Sequence, residues 1–499
     1  MLSHVNKVYP FCYTLLLFFG SIAMQANASA SVKADKIDKY LSQNIHRGVS
    51  ASILVAQDNR ILINKGYGLA EREAKLSNTP STVFDIGSLT KQFTAAAILK
   101  LAEEDKLKLT DTLNTYFKEL PNDKKQITIH QLLTHTAGFK EYPGRDFDLV
   151  SRDTYFQTVF SSKLQFTPGE RYEYSNVGYS ILSAVIEQVS ETDYETFLNQ
   201  AFFKPLQMTS TGYLLPDWNT LNLAHGYYED FYDRGTSIER YRKNGVSPIL
   251  VGNGGLQSTV SDLHKWLVAL NGYDILSEKS IRLLTSKHVE TPAQVDAFQS
   301  STFYGYGWKI GATSYSKRVI SHNGNNGTFR TSIVWRPNES VFIIFLSNTE
   351  SKGTLWLAYE IDKMLAENDY LPEPVEPNPY RVIDEYIKKT KTVSSAQLLD
   401  HYQQATGDKI ISSAVINRLA RIYFHFNKHT DWALELLKLN VKMFPDDGNL
   451  WDSLGEGYLK VGQKKLALTS FKKSLKLAPD ENCHWCNNAR EKIRQLTIN

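Results

Sequence analysis

A serine and a lysine stand three residues apart at the start of a helix-forming segment. In "FDIGSLTKQF", Ser88 and Lys91 would share one face of a helix, because residues three apart are neighbours there. A serine hydroxyl is a weak nucleophile until a base takes its proton, and a lysine can act as that base if burial lowers its pKa. The same spacing recurs elsewhere in the chain, so this motif alone leaves open an ordinary amphipathic helix with a surface lysine.

Two further segments carry groups that acyl transfer to a serine needs. "GERYEYSNVGYS" places Tyr174 and Asn176 on a loop before a predicted helix, where a phenol could carry a proton and an amide could hold the substrate. "ISHNGNNGTFRTSIVW" has a glycine-rich start that runs into a strand, which lets a backbone N–H approach a ligand closely. Together with the N–H of Ser88, such a group would form an oxyanion hole.

These segments resemble the three motifs of the penicillin-recognising serine hydrolases: "SLTK" (88–91), "YSN" (174–176) and "HNG" (322–324). Flanking segments are similar too: "TIHQLLTHTAGF" (128–139), "FTPGERYEYSNVGYSIL" (166–182) and "GNGGLQSTVSDLHKWL" (252–267). The resemblance covers roughly residues 33–365 and is to the class C β-lactamase-like group. That group includes D-alanyl-D-alanine carboxypeptidases, D-aminopeptidases and β-lactamase-fold esterases.

The resemblance implies a role for each motif residue. Ser88 would be the nucleophile that becomes acylated, and Lys91 and Tyr174 would share the general-base and general-acid work. Which of the two takes the first proton is left open. Asn176 would hydrogen-bond the substrate and help fix Lys91. Water would then release the product, and the resemblance implies no metal or other cofactor.

The strand motif would supply the oxyanion hole and further substrate contacts. The resemblance implies that the backbone N–H groups of Ser88 and of Asn325, which follows Gly324, form the hole. His322 stands where class C β-lactamases carry a lysine, and a histidine is mostly neutral at pH 7. We therefore expect a weak carboxylate anchor and favour a peptidase or esterase over an efficient β-lactamase. Arg330 could replace the lost charge if it points into the cleft; the alternative is an ion pair at the surface.

A chain of 499 residues is too long for a single core, and its pattern predicts two folded parts. Residues 33–368 have strands at both ends with helices between, which predicts an α+β domain. The resemblance implies the β-lactamase/transpeptidase-like fold, with an antiparallel sheet flanked by helices and an inserted helical region. Residues 370–380, "YLPEPVEPNPY", hold four prolines in eight residues and predict a semi-rigid linker. Residues 381–499 read as wholly helical.

The helical part contains a repeat that resembles tetratricopeptide units. Seven residues fall at the offsets of that motif: Trp451, Leu454, Gly455, Tyr458, Ala467, Phe471 and Pro479. A degenerate copy lies 34 residues earlier and keeps the alanine and the proline, at Ala433 and Pro445. Such a domain could offer a groove to a protein partner, or it could be a stabilising helical appendage.

The N-terminus predicts export. Residues 1–28 combine an early lysine, an apolar run shorter than a membrane span and small residues that fit a cleavage site. We therefore expect a signal peptide and a periplasmic or secreted bacterial protein with no membrane span after cleavage. A net charge of +3 gives no indication of a nucleic-acid partner.

Two cysteines remain after the predicted leader, in the C-x-x-C motif formed by Cys483 and Cys486. They could form a local disulfide, half of a metal site or a redox pair, and we favour a structural or incidental pair.

Two classes of function fit the sequence. The first is an exported serine hydrolase that cleaves an ester, or an amide next to a D-residue, through a Ser88 acyl-enzyme with a small-molecule or peptide substrate. The second is a non-catalytic or slow penicillin-binding sensor that recruits a partner through its helical tail. The sequence does not identify the physiological substrate or the oligomeric state.

Overall fold

The computed structural model describes residues 31–141, 144–292, 302–349, 354–390, 393–480 and 483–498. The predicted signal peptide lies outside these residues. The chain divides into two compact units. The first unit ends at Val375, and the second contains the chain from Glu376 onward together with Glu229–Phe231. The boundary falls inside the segment predicted as a linker.

The first unit is built round one large antiparallel sheet, and three two-stranded sheets accompany it in the described residues. The strands are β1 (Ala51–Gln57), β2 (Arg60–Tyr67), β3 (Leu69–Glu71), β4 (Leu76–Ser77), β5 (Phe84–Asp85), β6 (Tyr227–Tyr228), β7 (Tyr232–Asp233), β8 (Gln257–Ser258), β9 (Val289–Thr291), β10 (Thr302–Tyr304), β11 (Lys309–Gly311), β12 (Val319–Asn325), β13 (Arg330–Arg336) and β14 (Val341–Ser347). The eight strands of the large sheet have the order β2-β1-β14-β13-β12-β11-β10-β9. The prediction of one antiparallel sheet assembled from both ends of the domain is confirmed.

Alternating side chains place a core on each face of this sheet. In β1, Leu54 and Ala56 belong to the larger core, whereas Ile53 and Val55 belong to the smaller one on the other face. This alternation follows from the two-residue period of a strand. Every residue of β14 is buried, as expected for a central strand that is covered on both sides.

Helices cover both faces of the sheet. Those of the first unit are α1 (31–43), α2 (Thr90–Glu103), α3 (Leu113–Tyr116), α4 (Ile129–Leu133), α5 (Arg152–Ser161), α6 (Asn176–Ser190), α7 (Tyr194–Leu198), α8 (Ser237–Asn244), α9 (Val260–Gly272), α10 (Glu278–Leu284) and α11 (Leu357–Ala366). Helices α1 and α11 pack in the smaller core, and α2, α6 and α9 pack in the larger one. Helix α2 is buried on nearly all sides, because residues 90–99 are all buried, so it is a central helix of the unit.

The first part of the predicted linker belongs to the first unit. The hydroxyl of Tyr40 donates to Glu373 O at 2.9 Å, and Arg47 Nε donates to Val375 O at 2.7 Å. The N–H of Val375 in turn donates to the side chain of Asn44 at 2.8 Å. The proline-rich segment has no regular secondary structure from residue 370 to residue 378, and Glu373 and Val375 are hydrogen-bonded within the first unit.

The second unit consists of successive helices, as the sequence predicted. They are α12 (Pro379–Lys389), α13 (Ser395–Thr406), α14 (Ser413–His425), α15 (Thr430–Met443), α16 (Gly448–Lys460), α17 (Lys464–Lys476) and α18 (Cys486–Ile498). Cys483 and Cys486 form a disulfide at the start of α18, which is one of the three alternatives that the sequence left open. In the described part of the chain no helix is long and apolar enough to cross a membrane.

Candidate active site

A tight turn presents Ser88 at the start of α2. Residues Gly87–Leu89 form a 3-10 turn, and Gly87 adopts a left-handed backbone with φ of 52°. The carboxylate of Asp85 accepts hydrogen bonds from the Gly87 N–H at 2.9 Å and from the Ser237 hydroxyl at 2.8 Å. These hydrogen bonds of Asp85 fix the turn, and Ser88 remains partly exposed.

Lys91 lies one turn into α2 and is fully buried. Its Nζ is 3.2 Å from Ser88 Oγ, and it donates to Asn176 Oδ1 at 2.6 Å and to Asn253 O at 2.7 Å. Burial lowers the pKa of this amine to about 7, although the nearby carboxylate of Asp146 opposes the shift. The alternative of a surface lysine is wrong, since this amine is inside the protein and beside the serine.

The loop before α6 brings Tyr174 and Asn176 to the same place. Ser175 caps this helix by accepting a hydrogen bond from the Gly178 N–H at 3.4 Å, so Asn176 is the first helical residue and Tyr174 precedes the cap. The ring centre of Tyr174 lies 4.8 Å from Lys91 Nζ. The structure thus places the phenol ring of Tyr174 and the amide of Asn176, which are predicted site residues, close to the buried amine.

Strand β12 approaches the serine turn because it carries a glycine. A Cβ added to Gly324 would lie 2.2 Å from Ile86 O, so a larger residue would push the strand away from the turn. The hydroxyl of Thr331, on β13, donates to the same carbonyl at 2.9 Å. The backbone of Asn325 then follows beside Ser88, and both residues line the same cavity.

His322 is buried on β12, and both of its ring nitrogens are engaged. Its Nδ1 donates to Asn323 O at 2.8 Å, because a carbonyl can only accept. The hydroxyl of Tyr304 then donates to Nε2 at 3.0 Å. Burial, together with the nearby ammonium groups of Lys309 and Lys91, holds the pKa of His322 well below its usual value. The ring is therefore neutral, and it has no N–H left for a substrate.

The serine opens into a cavity of about 430 Å³ that also contains Tyr174, His322 and Asn325. Its charged lining side chains are those of Glu141, Glu173 and Lys309. A smaller cavity of about 20 Å³ lies against the same serine and has room for about one water molecule. Its polar lining residues include Ser88, Asn176, Asn253, Asp85 and Asp146.

Arg330 does not line either of these cavities among the described residues. The structure therefore does not bring this predicted anchor to the cleft. Among the described residues, no group of three or more histidine, cysteine, aspartate or glutamate side chains is placed to hold a metal ion.

Two contributors to the site were not identified from the sequence. The carbonyl of Asn253 accepts from Lys91, and its orientation is fixed because the Asn253 side chain donates to Ser180 Oγ at 2.7 Å and to Ile249 O at 2.6 Å. The sequence feature that could have identified Asn253 is the glycine cluster "GNGG", in which it lies. The second is Tyr304, which lies in the aromatic and glycine run "FYGYGW".

Comparison with known proteins agrees with this geometry. A sequence model of the Beta-lactamase family matches residues 35–358. The protein called "Protein flp" of Staphylococcus aureus (strain COL) is 25% identical over 422 residues, which cover 80% of this chain and 75% of the relative. The "Putative penicillin-binding protein PbpX" of Bacillus subtilis (strain 168) is 29% identical over 294 residues, which cover 57% of this chain and 67% of the relative.

Solved structures show the same fold. The octameric penicillin-binding protein homologue from Pyrococcus abyssi matches with a TM-score of 0.59 and 26% identity, covering 72% of this chain and 82% of its own. The D-amino acid amidase from Ochrobactrum anthropi SV3, complexed with D-phenylalanine, matches with a TM-score of 0.56 and 22% identity, covering 67% and 98%. The chain therefore belongs to the Beta-lactamase family and is a serine hydrolase with the β-lactamase/transpeptidase-like fold.

Proposed function

We propose that this hydrolase cleaves an amide or ester bond through an acyl-enzyme on Ser88. The observation that carries the proposal is the buried amine of Lys91, which lies 3.2 Å from Ser88 Oγ and has a pKa lowered to about 7. A large fraction of this amine is unprotonated at neutral pH, so it can accept a hydrogen bond from the serine hydroxyl.

In acylation, Ser88 Oγ attacks the carbonyl carbon of the substrate while its proton passes to Lys91 or Tyr174. The two backbone N–H groups of Ser88 and Asn325 stabilise the negative charge on the carbonyl oxygen. The same pair of side chains then returns a proton to the leaving amine or alcohol. In deacylation a water molecule loses its proton to this pair and attacks the ester carbon, which restores the serine. Asn176 holds both the substrate and Lys91 throughout.

The charges of the cleft favour a substrate without a carboxylate beside His322. That ring is neutral and has no N–H to donate, and on the wall of the cleft the carboxylates of Glu141 and Glu173 outnumber the one ammonium, that of Lys309. We therefore propose a peptidase or esterase rather than an efficient β-lactamase. An ester and an amide next to a D-residue are the proposed substrate classes, and a D-amino acid amidase, solved with D-phenylalanine and with L-phenylalanine, shares the fold.

The experiment is to label the full chain and its Ser88→Ala variant with a fluorophosphonate and a fluorescent penicillin. Turnover of a nitrophenyl ester, D-phenylalanine amide, a D-alanyl-D-alanine peptide and a chromogenic cephalosporin is measured in parallel. We expect a covalent adduct on Ser88 and faster turnover of the ester or a D-residue amide than of the cephalosporin. Absence of any adduct on the wild-type protein would contradict the proposal.

The same experiment separates the hydrolase from the slow penicillin-binding sensor. An acyl-enzyme that persists for hours with every substrate would favour the sensor, whereas release within seconds to minutes favours the hydrolase. The small cavity beside Ser88 supports hydrolysis, because its polar lining could hold a water molecule next to the acylated oxygen.

Export and a protein partner also belong to the proposal. The apolar leader supports cleavage after about residue 28 and a periplasmic or secreted protein. The helix pairs α14–α15 and α16–α17 support a tetratricopeptide-like unit that offers a groove to a protein partner. Mass spectrometry of the protein recovered from the producing cell would test the cleavage.

A further inference from the structure

His135 is a buried histidine that the proposed mechanism does not use. It follows α4, its side chain is 2% exposed, and its backbone adopts the left-handed conformation with φ of 57°. This conformation is unfavourable for most residues with a side chain, and asparagine, aspartate and histidine adopt it more often than the others. The imidazole Nε2 is buried and has no hydrogen-bond partner among the described residues. A buried ring nitrogen without a partner opposes stability, so stability alone does not explain a histidine here.

Two hydrogen bonds connect His135 to the residues on either side of Tyr174. The carbonyl of His135 accepts from the Glu173 N–H at 2.9 Å, and its Nδ1 accepts from the Ser175 N–H at 3.1 Å. Because a backbone N–H can only donate, Nδ1 is unprotonated and the ring proton is on Nε2. Burial keeps the pKa of His135 well below its usual value, so this acceptor persists at neutral pH.

The imidazole also contacts the phenol itself. Its ring centre lies 4.4 Å from that of Tyr174, with 36° between the planes, and 4.6 Å from that of Tyr304. The Nζ of Lys91 lies 4.8 Å from the centre of the same Tyr174 ring. His135 therefore constrains both the backbone and the ring of Tyr174. A proton-transfer group that is displaced by about 1 Å can lose about 100-fold in rate.

We propose that His135 is a positioning residue that fixes Tyr174 for proton transfer at Ser88. The proposal rests on the proposed role of Tyr174 in the acyl-enzyme mechanism. It assigns a function to a buried histidine that the acyl-enzyme mechanism itself leaves unused.

Two substitutions separate the ring from the backbone conformation. His135→Gly tolerates the left-handed φ and keeps the carbonyl, but it removes the Nδ1 acceptor and the ring contact. His135→Asn tolerates the same φ and restores an acceptor at the position of Nδ1. We expect His135→Gly to lower kcat for ester hydrolysis by about 100-fold with little change in KM, and His135→Asn to recover at least about tenfold of that loss. Equal turnover in the glycine variant and the wild type would overturn the proposal.

A double-mutant cycle tests whether His135 acts through Tyr174. In the Tyr174→Phe background, His135→Gly should lower the residual rate by less than about threefold, because the group that it positions is already disabled. Additive losses would show a general structural effect and would overturn the proposal. The matched control is His130→Asn on α4, where Nδ1 pairs with the Tyr306 hydroxyl at 2.8 Å, away from the cleft. That variant should keep wild-type turnover.

A measurement that needs no turnover completes the test. With ¹³Cζ-labelled tyrosine, the resonance of Tyr174, assigned with Tyr174→Phe, should shift in the conservative variant His135→Asn and stay unchanged in His130→Asn. An unshifted Tyr174 resonance would overturn the proposal even if His135→Gly fails to fold. If the wild-type protein forms no adduct and shows no turnover, the proposed function fails, and this resonance still decides whether His135 holds Tyr174.

Discussion

Two buried regions of the chain, one in each unit, contain different chemistry. In the first unit, α2 places the amine of Lys91 inside the protein, where Asn176 and Asn253 hydrogen-bond it. In the second unit, the core of the last helices is built from Ala467, Phe471 and Ala489. Burying an amine costs free energy, whereas burying methyl groups and a phenyl ring stabilises the fold. Substitutions should therefore change activity in the first region and stability in the second.

The largest effect is expected from Lys91→Ala. Turnover of a nitrophenyl ester should fall by about 1,000-fold, because the amine takes part in proton transfer at Ser88. The circular dichroism spectrum should remain that of the wild type. Retained turnover would mean that Lys91 has been given the wrong role.

The pH dependence of the wild type provides a check on the same residue. The active form has an unprotonated Lys91, so kcat/KM should rise with pH through about 7. The pKa is lower in the folded than in the unfolded chain, so between about 7 and 10.5 the unfolded chain binds more protons at this group. The free energy of unfolding should consequently increase with pH over that window, relative to Lys91→Met.

A large effect on both properties is expected from Gly324→Ala. The added Cβ would lie 2.2 Å from Ile86 O, so β12 must move away from the serine turn and the oxyanion hole must widen. Turnover should fall by about 100-fold, and the melting temperature should decrease. The matched control is Gly327→Ala, since a Cβ there meets no atom within 4 Å. Its positive φ should cost about 1 kcal/mol of stability while turnover is kept.

Phe471→Ala tests the expectation that substitutions in the second unit change stability and not activity. This side chain is fully buried and packs beside Gly455, so its truncation should lower the unfolding free energy of the second unit by about 3–5 kcal/mol. Ester hydrolysis should remain at the wild-type level. Leu466→Ala, at a side chain that is 47% exposed, should change stability by less than about 0.5 kcal/mol. Loss of turnover in Phe471→Ala would show that the two properties are not separable in this way.

The smallest effect is expected from Tyr304→Phe compared with Tyr306→Phe. Each hydroxyl pairs with a histidine, Tyr304 with His322 and Tyr306 with His130, but of these two histidines only His322 lines the cleft. Removing the Tyr304 hydroxyl frees Nε2 to accept a proton, so lowering the pH should reduce acylation by a carboxylate-bearing penicillin a few-fold less than in the wild type, where the protonation of Lys91 sets the decrease. Tyr306→Phe should leave this rate unchanged, and identical behaviour of the two variants would refute the assignment.

The sequence predicted those parts of the site that depend on short motifs. Ser88 and Lys91 meet because they are one turn apart on a helix, and Tyr174 and Asn176 accompany them because one loop carries both. The pairing of β1 with β14 was also predictable, since apolar strands lay at both ends of the domain. The catalytic roles of the motif residues stay predictions until the variants are measured.

Other contributors could not be read from local patterns. Asn253 acts through a backbone carbonyl, which no side-chain type reveals, and Tyr304 reaches His322 only because β10, β11 and β12 are adjacent in the sheet. Arg330 is not among the described residues that line the two cavities, and its distance from His322 along the chain does not define where its side chain points. The positions of these residues depend on contacts between segments that are far apart in the sequence.

The pairing of β1 with β14 also sets the order of events during synthesis. Ser347 Oγ donates to Ser50 O across a sequence separation of 297 residues, and Ala51 pairs with Ser347 in the sheet. On the ribosome, β1 therefore cannot pair with β14 until almost the whole first unit has been translated. Because closing so long a loop slows folding, a nascent chain would contain the serine turn before β12 lies beside it. Reactivity would thus appear only after the first unit has been translated.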